Sequence, residues 1–223
     1  RGDGGVAGRA GDVGAGGGGM NYELHQTDAF RWLCDAPAAS VQALITDPPY
    51  SSGGATRTDR SAATGSKYST SRAQLLRPDF LGDNRDQRSM LLWMNLWLSE
   101  AQRVMEVGAP IVLFTDWRQL PIMTDALQVA GFVWRGIAVW DKTEASRPQM
   151  DAFKAQCEYI LWGSNGPMPR DGRVGCLPGL FRHPVKQNDK HHQTGKPLPL
   201  MRDVVRICPA GGTILDPFAG SGT

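Results

Sequence analysis

The segment best equipped for chemistry consists of Asp47, Pro48, Pro49 and Tyr50, which directly follow the apolar run 41–46. Two successive prolines cannot continue a central strand, so the predicted strand ends at Asp47, and ligands of open α/β sheets bind at such ends. The Asp47 carboxylate and the Pro48 carbonyl can accept both N–H bonds of a nucleobase amine, which is otherwise a poor nucleophile. Tyr50 offers a flat face on which a base can stack. The simpler alternative is a strand followed by a Pro-Pro turn, with Asp47 as a cap.

A second motif lies at 213–223, where a predicted short strand runs into an acidic residue and a glycine turn. The residues after that strand are Asp216, Pro217, Phe218, Ala219, Gly220, Ser221, Gly222 and Thr223. Glycines let a ligand approach the backbone closely. The motif is neither G-x-G-x-x-G nor a P-loop, because the third glycine position lies beyond the sequence and the lysine is missing. An acid at a strand end suits a ligand with an ammonium group, such as S-adenosylmethionine; the alternative is an ordinary strand-to-turn connection.

Apolar periodicity predicts alternating strands and helices that would position these two motifs. Strands are predicted at residues 22–25, 41–46, 111–115, 132–140, 158–162 and 213–215. Helices are predicted at residues 28–33, 87–106, 118–130 and 198–208. This alternation indicates an α/β fold with a parallel or mixed sheet covered on both faces. The methionine and tryptophan stripe of the helix at 87–106 is expected to be core.

The composition is that of one globular domain: 223 residues, 41% hydrophobic, 21% charged and a net charge of +2. These values exclude a disordered chain, and no run reaches the ~18 apolar residues of a membrane span. Of the 27 glycines, ten fall in residues 1–19, which we interpret as a disordered tail without the apolar region of a signal peptide. The domain is therefore expected to span residues 20–223.

Two basic segments, 51–80 and 163–195, flank the proposed site in sequence and predict contacts with phosphates. The candidate nucleic-acid-binding residues are Arg57, Arg60, Lys67, Arg72, Arg182 and Lys186. The alternative is two solvated loops. No metal is expected, because His191 and His192 lack a third ligand at suitable spacing. The four cysteines form no C-x-x-C pair and are interpreted as reduced, buried, small apolar residues.

Together, the two motifs resemble those of the S-adenosylmethionine-dependent, amino-directed DNA methyltransferases, which modify adenine N6 or cytosine N4. The order of catalytic motif, insert and cofactor motif resembles the β arrangement of that family. The resemblance implies a Rossmann-like methyltransferase sheet, permuted, mixed and mostly parallel, with a small irregular recognition insert at 163–193. In the family, a helix, a strand and a ribose-binding acid follow the glycine turn. Their absence after Thr223 suggests a C-terminally truncated chain with an incomplete cofactor subdomain.

The resemblance assigns roles residue by residue. Residues 24–30 resemble the segment that lines the cofactor adenine, and residues 194–198 resemble the T-x-K-P element against the methionine end. Catalytic roles are implied for Asp47, Pro48, Pro49 and Tyr50. Cofactor-binding roles are implied for Asp28, Lys196, Pro197, Asp216, Pro217, Phe218, Gly220 and Gly222. The implied reaction is direct methyl transfer to a base flipped out of duplex DNA, with no covalent intermediate.

The Asp-Pro-Pro-Tyr motif leans toward adenine N6, since N4-cytosine enzymes more often carry Ser in place of Asp. N4-cytosine, RNA adenine and glutamine-N5 methyl transfer stay open, although the last would favour Asn at position 47. A different class is an inactive DNA-binding fragment. Double-stranded DNA is the expected partner, with no membrane; a homodimer and a cognate restriction endonuclease are compatible with the resemblance. The expected location is a bacterial cytoplasm, with a bacterial or phage gene.

Overall fold

A computed structural model describes residues 22–49, 87–146, 148, 150–185 and 195–220. Its helices are α1 (Ala29–Asp35), α2 (Gln87–Val104), α3 (Leu120–Val129) and α4 (Leu198–Val204), the last continued by a 3-10 turn at Val205–Ile207. Its strands are β1 (Ala43–Thr46), β2 (Pro110–Thr115), β3 (Val133–Asp141), β4 (Cys157–Ser164), β5 (Leu180–Arg182) and β6 (Ile214–Leu215). They form one sheet in the order β5-β3-β4-β2-β1-β6.

The sheet is mixed and mostly parallel, as predicted. β1 pairs in parallel with β2 and β6, and β3 pairs in parallel with β5. β4 runs antiparallel to both β2 and β3. One edge of the sheet therefore contains the carboxyl ends of five strands and the amino end of β4. We call it the carboxyl edge.

The central strands β1 and β2 are buried at every position, which is why they are continuous apolar runs. Their side chains alternate between two cores. Leu44 and Ile111 face the core under α2 and α3, whereas Ile45 and Val112 face the core under α4. Helices thus cover both faces of the sheet, as the alternation predicted.

The apolar stripe of α2 is core, also as predicted. Its buried members are Met90, Met94, Trp97, Leu98 and Ala101. They pack against the same sheet face as Leu33 of α1 and Leu127 of α3. This packing fixes α2 beside the strands that end at the proposed site.

Three local predictions were wrong. Residues 22–25 form no strand and are exposed, since a four-residue alternation forms a strand only beside a pairing partner. The interval 163–195 contains β5, whose Phe181 is buried against β3; three residues are too few to show periodicity. Three cysteines are exposed, and only Cys208 is buried among the four free thiols, all of which lie in described segments.

Among the described helices, none combines the length and apolarity that a membrane span requires. The disordered tail predicted at 1–19, the basic segment 51–80 and His191 and His192 all lie outside the described residues.

Candidate active site

Asp47 follows β1 directly and lies at the carboxyl edge. Its Oδ2 accepts a hydrogen bond from Lys196 Nζ at 2.6 Å. Its other oxygen, Oδ1, is buried and has no hydrogen-bond partner among the described residues. Pro48, next in the chain, is buried, and Pro49 is half-buried. One carboxylate oxygen is therefore held by the protein while the other remains an unused acceptor.

Burial raises the pKa of Asp47 to about 6, against the opposing effect of the Lys196 ammonium. The carboxylates of Glu158 and Asp216 add a smaller repulsion in the same direction as burial. Asp47 is consequently ionised at neutral pH, yet it is a stronger base than an ordinary aspartate. A basic carboxylate with an open lone pair is suited to accept an N–H bond.

Lys196 connects Asp47 to a second carboxylate. Its Nζ lies 3.4 Å from Glu158 Oε2, and Glu158 Oε1 lies 3.2 Å from Lys142 Nζ. Burial alone would lower the pKa of Lys196, but the two carboxylates raise it above its ordinary value. Burial would likewise raise the pKa of Glu158, but Lys196 and Lys142 hold it below its ordinary value. Lys196 and Glu158 are therefore both charged at neutral pH.

The structure brings the second motif beside the first. β6 pairs with β1, and Asp216 Oδ1 accepts hydrogen bonds from Thr46 Oγ1 at 2.6 Å and from the Phe218 backbone N–H at 3.0 Å. Burial raises the pKa of Asp216. Thr46 immediately precedes Asp47, so its hydrogen bond to Asp216 connects the first motif to the second.

The turn after β6 is anchored by aromatic packing. The Phe218 ring lies 5.4 Å from Trp93 and 5.1 Å from Trp97 of α2, centroid to centroid. Gly220 adopts a φ of +55°, a conformation that favours glycine. The nearest atom that a Cβ there would meet is the Phe218 carbonyl oxygen, at 3.8 Å. The turn, which also contains Pro217, therefore leaves space beside the backbone at Gly220.

Other candidate residues have partners of their own. Asp28 caps α1, since its carboxylate accepts the Arg31 backbone N–H at 3.0 Å. Arg182 lies on β5 and is paired with Glu144 at 2.7 Å. Asp116, directly after β2, accepts the backbone N–H groups of residues 118 and 119 in the turn that precedes α3.

A cavity of about 350 Å³ lies beside α1. Its lining is His25, Gln26, Thr27, Arg31, Trp32, Asp35, Ala36 and Pro37. Three of these belong to the segment 24–30 predicted to line the cofactor adenine. Tyr50, Arg57, Arg60, Lys67, Arg72, Lys186 and Gly222 lie outside the described residues. Within the described segments, no three His, Cys, Asp or Glu residues cluster in a way that could hold a metal ion.

Comparison with known proteins identifies the family. Residues 41–171 and 178–223, which include both motifs, match the N6/N4 methyltransferase model described as DNA methylase. The chain belongs to this DNA methylase family. Methylase YubD of Escherichia coli K12 is 28% identical over 199 residues, which cover 89% of this chain and 75% of YubD.

Solved structures share the DNA methylase fold. The M1.HpyAVI–SAM complex matches with a TM-score of 0.59 at 21% identity, over 89% of this chain and 82% of that one. The PvuII DNA methyltransferase, a cytosine-N4-specific enzyme, matches with a TM-score of 0.62 at 13% identity, over 87% and 73% of the two chains. The Rossmann-like methyltransferase sheet implied by the motifs is therefore confirmed.

Within this DNA methylase, sequence reasoning missed three residues of the site: Thr46, Lys142 and Glu158. Lys142 and Glu158 belong to segments that resemble later family strands, but no spacing signal points to their side chains. Glu158 reaches the carboxyl edge because β4 is antiparallel, which places the beginning of that strand where its neighbours end. The signal in the sequence that could have identified Glu158 is an acidic residue at the beginning of a strand that follows a long loop.

Proposed function

We propose that this protein transfers a methyl group from S-adenosylmethionine to N6 of an adenine flipped out of double-stranded DNA. The observation that carries the proposal is Asp47, whose Oδ1 is a buried acceptor at the carboxyl edge without a hydrogen-bond partner among the described residues. A buried acceptor without a partner costs about 1–3 kcal/mol. Such a cost is typical of a functional site, where a ligand group completes the hydrogen bond.

The residues at the end of β6 fit the cofactor. Asp216 offers a carboxylate to the ammonium group of S-adenosylmethionine, and the turn containing Pro217, Phe218 and Gly220 allows close backbone approach. The ammonium of Lys196 would repel this cationic ligand, but Asp47 and Glu158 neutralise it. Lys196 and Pro197 can therefore pack near the methionine end, with Asp28 and Gly222 as the remaining proposed contacts.

The chain's own groups act on the target amine. Asp47 Oδ1 and the Pro48 carbonyl accept its two N–H bonds, which favours a tetrahedral nitrogen with an available lone pair. S-adenosylmethionine supplies a methyl group on a positively charged sulfur, which retains the electron pair of the broken C–S bond. As the nitrogen gains the methyl group, it must release one proton. Asp47, with a pKa of about 6, can receive that proton and pass it to solvent.

DNA contacts are proposed for the basic segments 51–80 and 163–195, which flank the site in sequence, with Tyr50 stacking on the flipped base. The residues proposed are Arg57, Arg60, Lys67, Arg72, Arg182 and Lys186. Of these, Arg182 forms ion pairs with Glu144 and Asp141. Its contribution is therefore expected to be smaller than that of an arginine without carboxylate partners.

The experiment that tests the base is nucleoside analysis. Duplex DNA is incubated with the protein and S-adenosylmethionine, digested, and its nucleosides separated by mass spectrometry. We expect 6-methyladenine, because the Asp-Pro-Pro-Tyr motif leans toward adenine. Finding 4-methylcytosine without 6-methyladenine would reject adenine but keep the mechanism, since both bases present a conjugated exocyclic amine. Single-stranded RNA serves as the competing substrate, and preferential methylation of it would reject DNA.

A further inference from the structure

Four charges of alternating sign lie in a row at the carboxyl edge: Asp47, Lys196, Glu158 and Lys142. Successive members are separated by 2.6, 3.4 and 3.2 Å between nitrogen and oxygen. The side chains of Lys196, Glu158 and Lys142 are only 7%, 18% and 17% exposed. Buried ion pairs of this kind add little net stability compared with apolar residues of the same size. The row therefore calls for an explanation other than stability.

The outer half of the row, Glu158 and Lys142, lies at the paired ends of β3 and β4. Glu158 lies opposite Trp140 in the pairing of β3 with β4, and Lys142 follows the last pair of that ladder. The Lys142 backbone N–H donates to the Gln156 carbonyl at 2.9 Å, which extends the antiparallel pairing by one step. Lys142 and Glu158 thus hold fixed positions, while Lys196 lies on the segment that leads into α4.

We propose that Glu158 and Lys142 are positioning residues for methyl transfer: they draw the Lys196 ammonium partly away from Asp47, so that it engages Oδ2 only and Oδ1 stays open to the target amine. The proposal rests on the proposed function for the identity of that amine. Lys196 lies between two carboxylates, and Lys142 limits how strongly Glu158 competes for it. The row thereby sets how good an acceptor Asp47 is.

The charged groups that face Asp47 give the sign of each effect. These are Lys196, which precedes α4, Glu158 of β4 and Asp216 at the end of β6. Removing the charge of Glu158 removes a repulsion and one carboxylate that competes with Asp47 for Lys196, so the pKa of Asp47 should fall. Removing Lys142 leaves the charge of Glu158 less compensated, so its repulsion of the Asp47 carboxylate grows and the pKa of Asp47 should rise.

The test uses Glu158→Gln and Lys142→Met in the full chain. Asp47 is titrated by carbon NMR of the labelled carboxyl group, without DNA or cofactor. We expect a lower Asp47 pKa in E158Q and a higher one in K142M. Simple loosening of the fold would hydrate Asp47 and lower its pKa in both variants. A pKa in K142M that is unchanged or lower than in the wild type therefore overturns the proposal, even if E158Q does not fold.

Turnover provides the second readout. A less basic Asp47 is a weaker acceptor, so E158Q should lower kcat by about tenfold and change KM for DNA less than kcat. Glu100→Gln, the same change in an ion pair on α2, is the matched control and should leave both parameters unaltered. Unchanged kcat in folded E158Q contradicts the proposal. Because the NMR titration needs no activity, failure of the proposed base or substrate is detected separately, by nucleoside analysis.

Discussion

Asp47 and Asp216 occupy equivalent places in the fold but differ in their partners. Each follows a strand, β1 or β6, and these two strands pair in parallel. Burial raises the pKa of both. Asp216, however, receives its hydrogen bonds from a neutral hydroxyl and a backbone N–H within the fold. Asp47 receives its hydrogen bond from an ammonium group, and its other oxygen has no partner in the part of the chain that the structure describes.

The difference supports separate tasks for the two carboxylates in the proposed function. The hydrogen bonds of Asp216 fix the turn that follows β6, so this carboxylate is held mainly by local structure. Asp47 is held by a residue 149 positions away, and its other oxygen is buried without a hydrogen-bond partner among the described residues. We therefore expect changes at Asp47 to act on chemistry and changes around Asp216 to act on cofactor affinity.

The largest expected effect is that of Asp47→Asn. The amide keeps the shape but has no negative charge and presents an N–H donor, so methyl transfer should fall by at least about 100-fold. Binding of S-adenosylmethionine, measured by calorimetry, should be nearly unchanged. Asp125→Asn, the same substitution on the exposed side of α3, is the control. Undiminished activity in D47N would remove Asp47 from the mechanism.

A pH profile should show a smaller but continuous effect of the same carboxylate. Asp47 is a strong N–H acceptor and can receive a proton only when it is ionised, and its pKa is about 6. Activity should therefore be full above this pH and fall by about tenfold per pH unit well below it. Circular dichroism at each pH establishes that the protein stays folded. A profile that stays flat to about pH 5 would place the Asp47 pKa near its ordinary value.

The sequence predicted those parts of the site that are local in the chain. Asp47 and Asp216 were found because each ends an apolar strand and is followed by proline. Glu158 and Lys142 could not be found in this way, since their approach to Lys196 depends on the direction of β4 and on its register with β3. Arg182 was predicted as a phosphate contact from charge alone, but its pairing with Glu144 depends on β5, a strand too short to predict.

The proposed role of Asp216 in cofactor binding is best tested by a substitution at Thr46. Thr46→Val keeps the buried shape but removes the hydroxyl that donates to Asp216. One hydrogen bond to a charged group contributes about 1.5–3 kcal/mol, so the Kd for S-adenosylmethionine should rise by about tenfold or more, with kcat changed less than Kd. Thr115→Val, at the corresponding end of β2, is the matched control because Thr115 is equally buried and bonds only weakly, to the neighbouring carbonyl at 3.4 Å. The contrary outcome is a lower kcat in T46V with an unchanged Kd for S-adenosylmethionine. In that case chemistry and cofactor binding are not divided between the two aspartates, because Thr46 would act on Asp47 through the backbone that they share.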